Sequence, residues 1–221
     1  MNYDTWVFDL DNTLYPARCN LFAQVDERIG QFMSDYLKVD RVEARRLQKE
    51  YWRAHGTSLR GLMLLHDCPP EEFLHYVHDI DVSGVEPSVA LNDALTQLPG
   101  RKVIFTNGTV PHAQRIMDRL GVSHHFEGIF DIVASAYIPK PERSVYEQML
   151  AQHGIDPRKA IMLDDMAHNL KPAHDLGMAT VWVHTPESLV RHEQSGADKT
   201  HIHHETDDVV TWLADWLQTK A

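Results

Sequence analysis

Asp9 and Asp11 stand two residues apart at the end of the short apolar run Trp6-Val7-Phe8, and Asp164 and Asp165 stand side by side at the end of another, Ile161-Met162-Leu163. Alternate residues of an extended chain project to one side, so Asp9 and Asp11 share a face. Carboxylates that close repel one another, and the pair is costly unless a cation neutralises it or the site holds a proton. Asp164 and Asp165, with Asn169 four residues beyond Asp165, offer oxygen donors of the kind Mg²⁺ prefers. Thr106-Asn107-Gly108 follows Val103-Ile104-Phe105 and supplies a hydroxyl, an amide and a residue small enough for backbone N–H groups to approach an anion. Lys140-Pro141 follows Ile132-Val133-Ala134-Ser135 and brings a positive charge suited to a phosphoryl group.

Each segment also admits a plainer explanation. Asp11-Asn12-Thr13 can form an Asx-type turn, Thr106 to Gly108 an ordinary turn, and Lys140 can be solvated. The second acidic pair can cap a helix. All four, however, lie at or just beyond the carboxyl ends of apolar runs, which is where ligands gather in a parallel sheet.

The elements that must position them are read from the apolar pattern. Trp6-Val7-Phe8, Val103-Ile104-Phe105, Ile129 to Val133, Ile161-Met162-Leu163 and Val181-Trp182-Val183 are continuous rather than alternating, as expected of strands covered on both faces. Helical patterns over Pro111 to Leu120, Glu142 to His153 and His168 to Leu176 each stop at a glycine. This alternation predicts an α/β, Rossmann-like parallel sheet core flanked by helices.

The stretch between the first and second strands has a different texture. Leu21, Phe22, Val25, Ile29, Phe32, Met33, Tyr36 and Leu37 keep helical spacing. Asp40 with Glu43 resembles a capping box for a helix through Tyr51; further helices are expected over Ser58 to His66 and from Pro69-Pro70 onward. Residues 17–83 are therefore expected to form an inserted α-helical cap, with residues 1–16 and 84–221 as the core and Val82 to Pro87 as the return hinge.

With 221 residues, 43% of them hydrophobic, the chain can bury a sizeable core. No apolar run reaches the length of a membrane span and the first residues lack a secretion signal, so no membrane partner and a cytoplasmic location are expected. Cys19 and Cys68 are too few for a disulfide framework. A net charge of -11 disfavours nucleic acid, and a small anionic partner then needs a local cation. His201-Ile202-His203-His204, the densest of the histidine clusters, reads as a polar surface segment.

Together, Asp9-Leu10-Asp11-Asn12-Thr13, Thr106-Asn107, Lys140-Pro141, and Asp164-Asp165 with Asn169 resemble the motifs of the haloacid dehalogenase-like superfamily. The resemblance implies Asp9 as nucleophile, Asp11 as acid and base, and Thr106 and Lys140, joined by Asn107, around the phosphoryl oxygens. It also implies Mg²⁺ as cofactor, with Asp9, Asp11 and Asp165 as ligands, Asp164 and Asn169 in support, and a helical cap between the first two motifs. Met166 and Asn169 depart from the pattern, Asn169 replacing an acid found in many relatives. The longer run Asp11 to Pro16 is similar to the pyrimidine 5'-nucleotidase branch, which implies a small phosphorylated metabolite, a nucleoside 5'-monophosphate, as substrate. Phosphoglycolate or a sugar phosphate is the alternative. A hydrolytic dehalogenase has no need of Asp11 to protonate its leaving group, a receiver-type module has no use for a long cap, and phosphotransfer to another hydroxyl stays open.

Overall fold

The computed structural model describes residues 3–185 and 199–219. Among these, six strands form one sheet in the order β3-β2-β1-β4-β5-β6. They are β1 (Thr5–Phe8), β2 (Arg101–Phe105), β3 (Gly128–Phe130), β4 (Ala160–Asp164), β5 (Ala179–Val183) and β6 (His204–Thr206). Every adjacent pair is parallel. The order reverses between β1 and β4, and such a reversal opens a crevice at the carboxyl ends of the strands.

Register makes those ends level. Phe8 lies opposite Ile104 on one side and Leu163 on the other, so Asp9 falls beside Phe105 and Asp164. The Asp9 N–H continues the ladder by donating to the Leu163 carbonyl.

Continuous apolar strands serve two cores, one on each face. Trp6, Phe8, Ile104 and Leu163 join one, beneath α5 (Val89–Gln97), α6 (Val110–Leu120) and α9 (Val209–Gln218). Val7, Val103, Phe105, Met162 and Trp182 join the other, beneath α7 (Arg143–His153) and α8 (Ala167–Asp175). Val7 changes face between Trp6 and Phe8, as the two-residue period of a strand requires.

Between β1 and β2 the chain is helical: α1 (Leu21–Leu37), α2 (Arg41–His55), α3 (Ser58–His66) and α4 (Pro70–Val77). α1 packs on α2 and α4, and α2 on α3. Asp40 caps α2 by accepting from the N–H groups of Val42 and Glu43, and Thr57 caps α3 by accepting from that of Arg60. Glu43 does not reach back to complete a capping box; its carboxylate pairs with Arg46 one turn on.

Two strand expectations need correction. The third strand ends at Phe130, not Val133, because the Asp131 carboxylate accepts from the N–H groups of Val110 and Ala134 and turns the chain toward the start of α6. The histidine-rich segment, expected as plain polar surface, supplies the edge strand β6, and His201 is buried with Nε2 2.8 Å from the Ala167 carbonyl. Among the described residues no helix is long and apolar enough to cross a membrane.

Candidate active site

The strand ends bring Asp9, Lys140 and Asp164 into one buried cluster. Lys140 Nζ donates to Asp9 Oδ1 (2.8 Å), Asp164 Oδ2 (2.6 Å) and the Phe105 carbonyl (3.0 Å). Its three hydrogens are thereby used. Burial pulls the ammonium's pKa down, but the two carboxylates outweigh it and the net shift is upward, so Lys140 stays charged. The loop carrying it is held by Asn107, whose Oδ1 accepts from the Lys140 N–H at 2.8 Å, and the Lys140-Pro141 peptide bond is cis. Asn107, expected beside an anion, thus directs its carbonyl oxygen to the backbone of the Lys140 loop.

Asp9 also accepts from Thr13 Oγ1 at 3.0 Å. Burial, with Asp164 and Asp11 adding like charge against the pull of Lys140, raises its pKa to about 7. Asp165 is shifted well upward too, by burial and then by Asp9 and Asp164.

The carboxylates of Asp9, Asp164 and Asp165 offer ligand atoms that all lie within 4.8 Å of one another. Asp164 is fully buried and its Oδ1 accepts from Met166 N (2.9 Å) and Asn169 Nδ2 (2.9 Å). Asn169 thus orients Asp164, while its own Oδ1 is buried without a partner. Tyr146 Oη donates to the Asn169 carbonyl (2.6 Å) and fixes that turn of α8 from the core side. Three carboxylate oxygens beside a single ammonium form a hard, under-neutralised donor set, the kind that suits Mg²⁺. The residues therefore fit that ion, with Asp9, Asp164 and Asp165 as the groups that would hold it.

Asp11 has its carboxylate elsewhere. Its Oδ1 accepts from Tyr15 Oη (2.6 Å) and His112 Nε2 (3.0 Å), and it is not in the group formed by Asp9, Asp164 and Asp165. Burial acts to raise its pKa, but His112 and Tyr15 win and bring it down to about 2, so in the resting site Asp11 is ionised.

Thr106 is buried and its Oγ1 accepts from the Gly108 N–H at 2.9 Å, leaving the hydroxyl hydrogen to point elsewhere. Gly108 leaves little room for a side chain. A Cβ there would lie 3.1 Å from His112 Cδ2, 3.3 Å from Thr106 Oγ1 and 3.7 Å from Asp11 Oδ2. The glycine therefore lies beside both the Asp11 carboxylate and the Thr106 hydroxyl.

Sequence reasoning passed over Thr13, Tyr15, His112 and His78. Thr13 lies within the first motif and Tyr15 two residues beyond it, each four residues after the carboxylate to which it donates, in the non-helical turn that follows β1. His112 had no such signal: it is 101 residues from Asp11 and sits in the first turn of α6.

Residues 3–177 match the family model described as haloacid dehalogenase-like hydrolase. Over 212 residues the chain is 28% identical to Phosphate metabolism protein 8 of Saccharomyces cerevisiae, covering 88% of this chain but only 65% of that protein, so it spans less than two thirds of that relative. In fold it is similar to a HAD phosphatase from Thermococcus onnurineus (18% identity, TM-score 0.64, 98% of each chain). It is also similar to the L-2-haloacid dehalogenase of Xanthobacter autotrophicus with chloropropionic acid covalently bound (17% identity, TM-score 0.56, covering 99% of this chain and 98% of that one). At such identities these two likenesses speak for the fold alone.

Proposed function

The chain belongs to the haloacid dehalogenase-like hydrolases, and from that premise we propose that it hydrolyses a small phosphate monoester, with Mg²⁺, through an aspartyl-phosphate on Asp9. The observation that carries the reading is the junction of Lys140 with both Asp9 and Asp164, next to the carboxylate of Asp165. A carboxylate that attacks a phosphate dianion meets like charge, and it needs fixed positive charge around the oxygens of the transferring group. Mg²⁺, when bound, supplies a second positive charge there and polarises the phosphoryl oxygens.

This chain's own residues then divide the work. Asp9 Oδ2, the oxygen not bound to Lys140, accepts from Thr13; one of the two oxygens attacks phosphorus and the ester oxygen departs. Lys140 stabilises charge on the Asp9 side, and the Thr106 hydroxyl donates to a phosphoryl oxygen. Asp11 protonates the departing alkoxide, then takes a proton from the water that hydrolyses the aspartyl-phosphate. Because Asp11 rests ionised, it has to take up its proton as the anionic substrate enters, and the approach of like charge favours that uptake. Ester oxygen needs that proton and halide does not, which supports phosphate transfer over dehalogenation.

Residues 17–83 act as the cap. Its α2–α3 turn stands on the Lys140 loop, where a Cβ on Gly56 would lie 2.9 Å from Pro139 and 3.7 Å from the Lys140 carbonyl, so the cap borders the site and limits which leaving group fits. The run Asp11 to Pro16 supports a pyrimidine nucleoside 5'-monophosphate as substrate, with phosphoglycolate or a sugar phosphate as the alternatives. Phosphate release with Mg²⁺ across UMP, CMP, AMP, phosphoglycolate and sugar phosphates tests this. Preference for UMP and CMP is the expected result; halide release from a 2-haloacid with no phosphate release from any ester would overturn it.

A further inference from the structure

Asp11 is gripped by one oxygen only. Oδ1 receives both donors, Tyr15 Oη and His112 Nε2, while Oδ2 lies on the side of Gly108 and Thr106, the side a phosphoryl group would occupy. We propose that His112 is a positioning residue: it holds Oδ1 of Asp11 so that Oδ2 alone exchanges protons with the leaving group and with the hydrolytic water. The proposal deepens the phosphatase reading and rests on it.

The imidazole is built for that task. His112 is buried, and because a carboxylate only accepts, Nε2 must carry the hydrogen. Nδ1 is buried without a hydrogen-bond partner. A ring with a single hydrogen-bonding contact needs packing to fix its plane, and His78 provides it. The two rings stack with centroids 4.4 Å apart and planes 22° from parallel. His78 follows α4, at the start of the return from the insertion, and its Nδ1 is 3.3 Å from Thr109 Oγ1, the hydroxyl that caps α6.

The same face of α6 holds the return segment in place. Arg115 donates to the carbonyls of His78 (3.0 Å) and Ile80 (2.6 Å), and Arg119 to those of Ser83 and Val85 (both 3.2 Å). The acid/base carboxylate is thus referenced to the end of the insertion through one stacked pair of rings. Residues that act on a general acid through another group alter the proton-dependent steps and leave substrate binding nearly untouched.

The test compares His112→Phe, which keeps the stacked ring without the donor, with His112→Asn, which keeps an N–H donor, on an alkyl phosphate and on p-nitrophenyl phosphate. p-Nitrophenolate leaves without a proton, whereas an alkoxide does not. For His112→Phe the expected result is a loss of about 10²-fold in kcat on the alkyl ester with KM little changed. On the aryl ester a rapid burst of one p-nitrophenolate per enzyme should survive, followed by slow turnover as hydrolysis of the intermediate limits. His112→Asn should recover about tenfold of the loss. Equal losses on both esters with no burst, or wild-type kinetics on both, would overturn the proposal. Thermal unfolding checks each variant, and His112→Leu takes the place of His112→Phe, read by the same alkyl-to-aryl ratio, if the phenylalanine does not fold. A wild type that releases no phosphate from any ester sinks the phosphatase reading and this proposal with it. A wild type that turns over while the variants match it sinks this proposal alone.

Discussion

The ammonium of Lys140 lies 2.8 Å from Asp9 Oδ1, with both side chains buried, and the same nitrogen reaches Asp164. One cation therefore holds two acids that come from neighbouring strands, and the orientation of the Asp9 carboxylate depends on a residue 131 positions away. Removing that cation leaves two buried carboxylates facing each other.

Lys140→Met should accordingly cost about 3–5 kcal/mol of stability near neutral pH, as for a buried ion pair that loses one partner. Turnover should disappear. Urea unfolding of wild type and variant at the same pH measures the first, phosphate release the second. A variant as stable as wild type would show that the Lys140 interactions are not held in solution.

Stability and metal binding should both depend on pH, with a sign set by Asp9. Its pKa in the fold is about 7, above the ordinary carboxyl value of about 3.9, so the folded state holds its proton longer than the unfolded chain does. The metal-free protein should lose stability as pH rises from about 4 to about 7, and Asp165, also shifted upward, adds to the loss. Mg²⁺ takes the place of those protons, so its affinity should climb by about tenfold per pH unit for each proton displaced across that window. Thermal melts with and without Mg²⁺ at pH 5 and pH 8 check this: the shift in Tm should be larger at pH 8.

Asn169 contacts the acidic cluster through Asp164. Asn169→Ala removes the amide that orients that carboxylate, and the apparent Mg²⁺ affinity should fall by about 10- to 100-fold while the fold persists. A titration of activity against Mg²⁺ reads the change directly, and saturating metal should restore most of kcat.

Gly61 sets how closely α3 approaches α2. A Cβ there would stand 2.5 Å from both Cβ and Cγ of Tyr51, a distance that forces the helices apart. Gly61→Ala should destabilise the protein by about 1–3 kcal/mol through overpacking. Equilibrium unfolding measures it, and an unchanged midpoint would mean that α2 and α3 are not packed this closely.

Much of this arrangement was legible in the sequence, for identifiable reasons. Strands covered on both faces must be apolar throughout, so Trp6-Val7-Phe8 and Ile161-Met162-Leu163 stand out and their ends locate the acids. The end of β3 was not legible: Ile129 to Val133 is almost wholly apolar, and only the capping role of Asp131 stops the strand. β6 escaped notice because an edge strand with exposed side chains, as at His204 and Glu205, carries no apolar run. Within the site, lysine and aspartate announced themselves by charge. The donors to Asp11 did not, since a lone histidine at the start of a helix has no pattern that distinguishes it from a packed or solvated one.

The central claim is that Asp9 carries the phosphoryl group. The most direct measurement is rapid acid quench of wild type and Asp9→Asn with a phosphate ester labelled on phosphorus, in Mg²⁺, followed by mapping of the label. Transient label on the peptide that contains Asp9, and neither label nor turnover in Asp9→Asn, is what the account predicts. Labelled phosphate released with no protein-bound phosphoryl at any quench time, or an Asp9→Asn enzyme that still turns over, would contradict it.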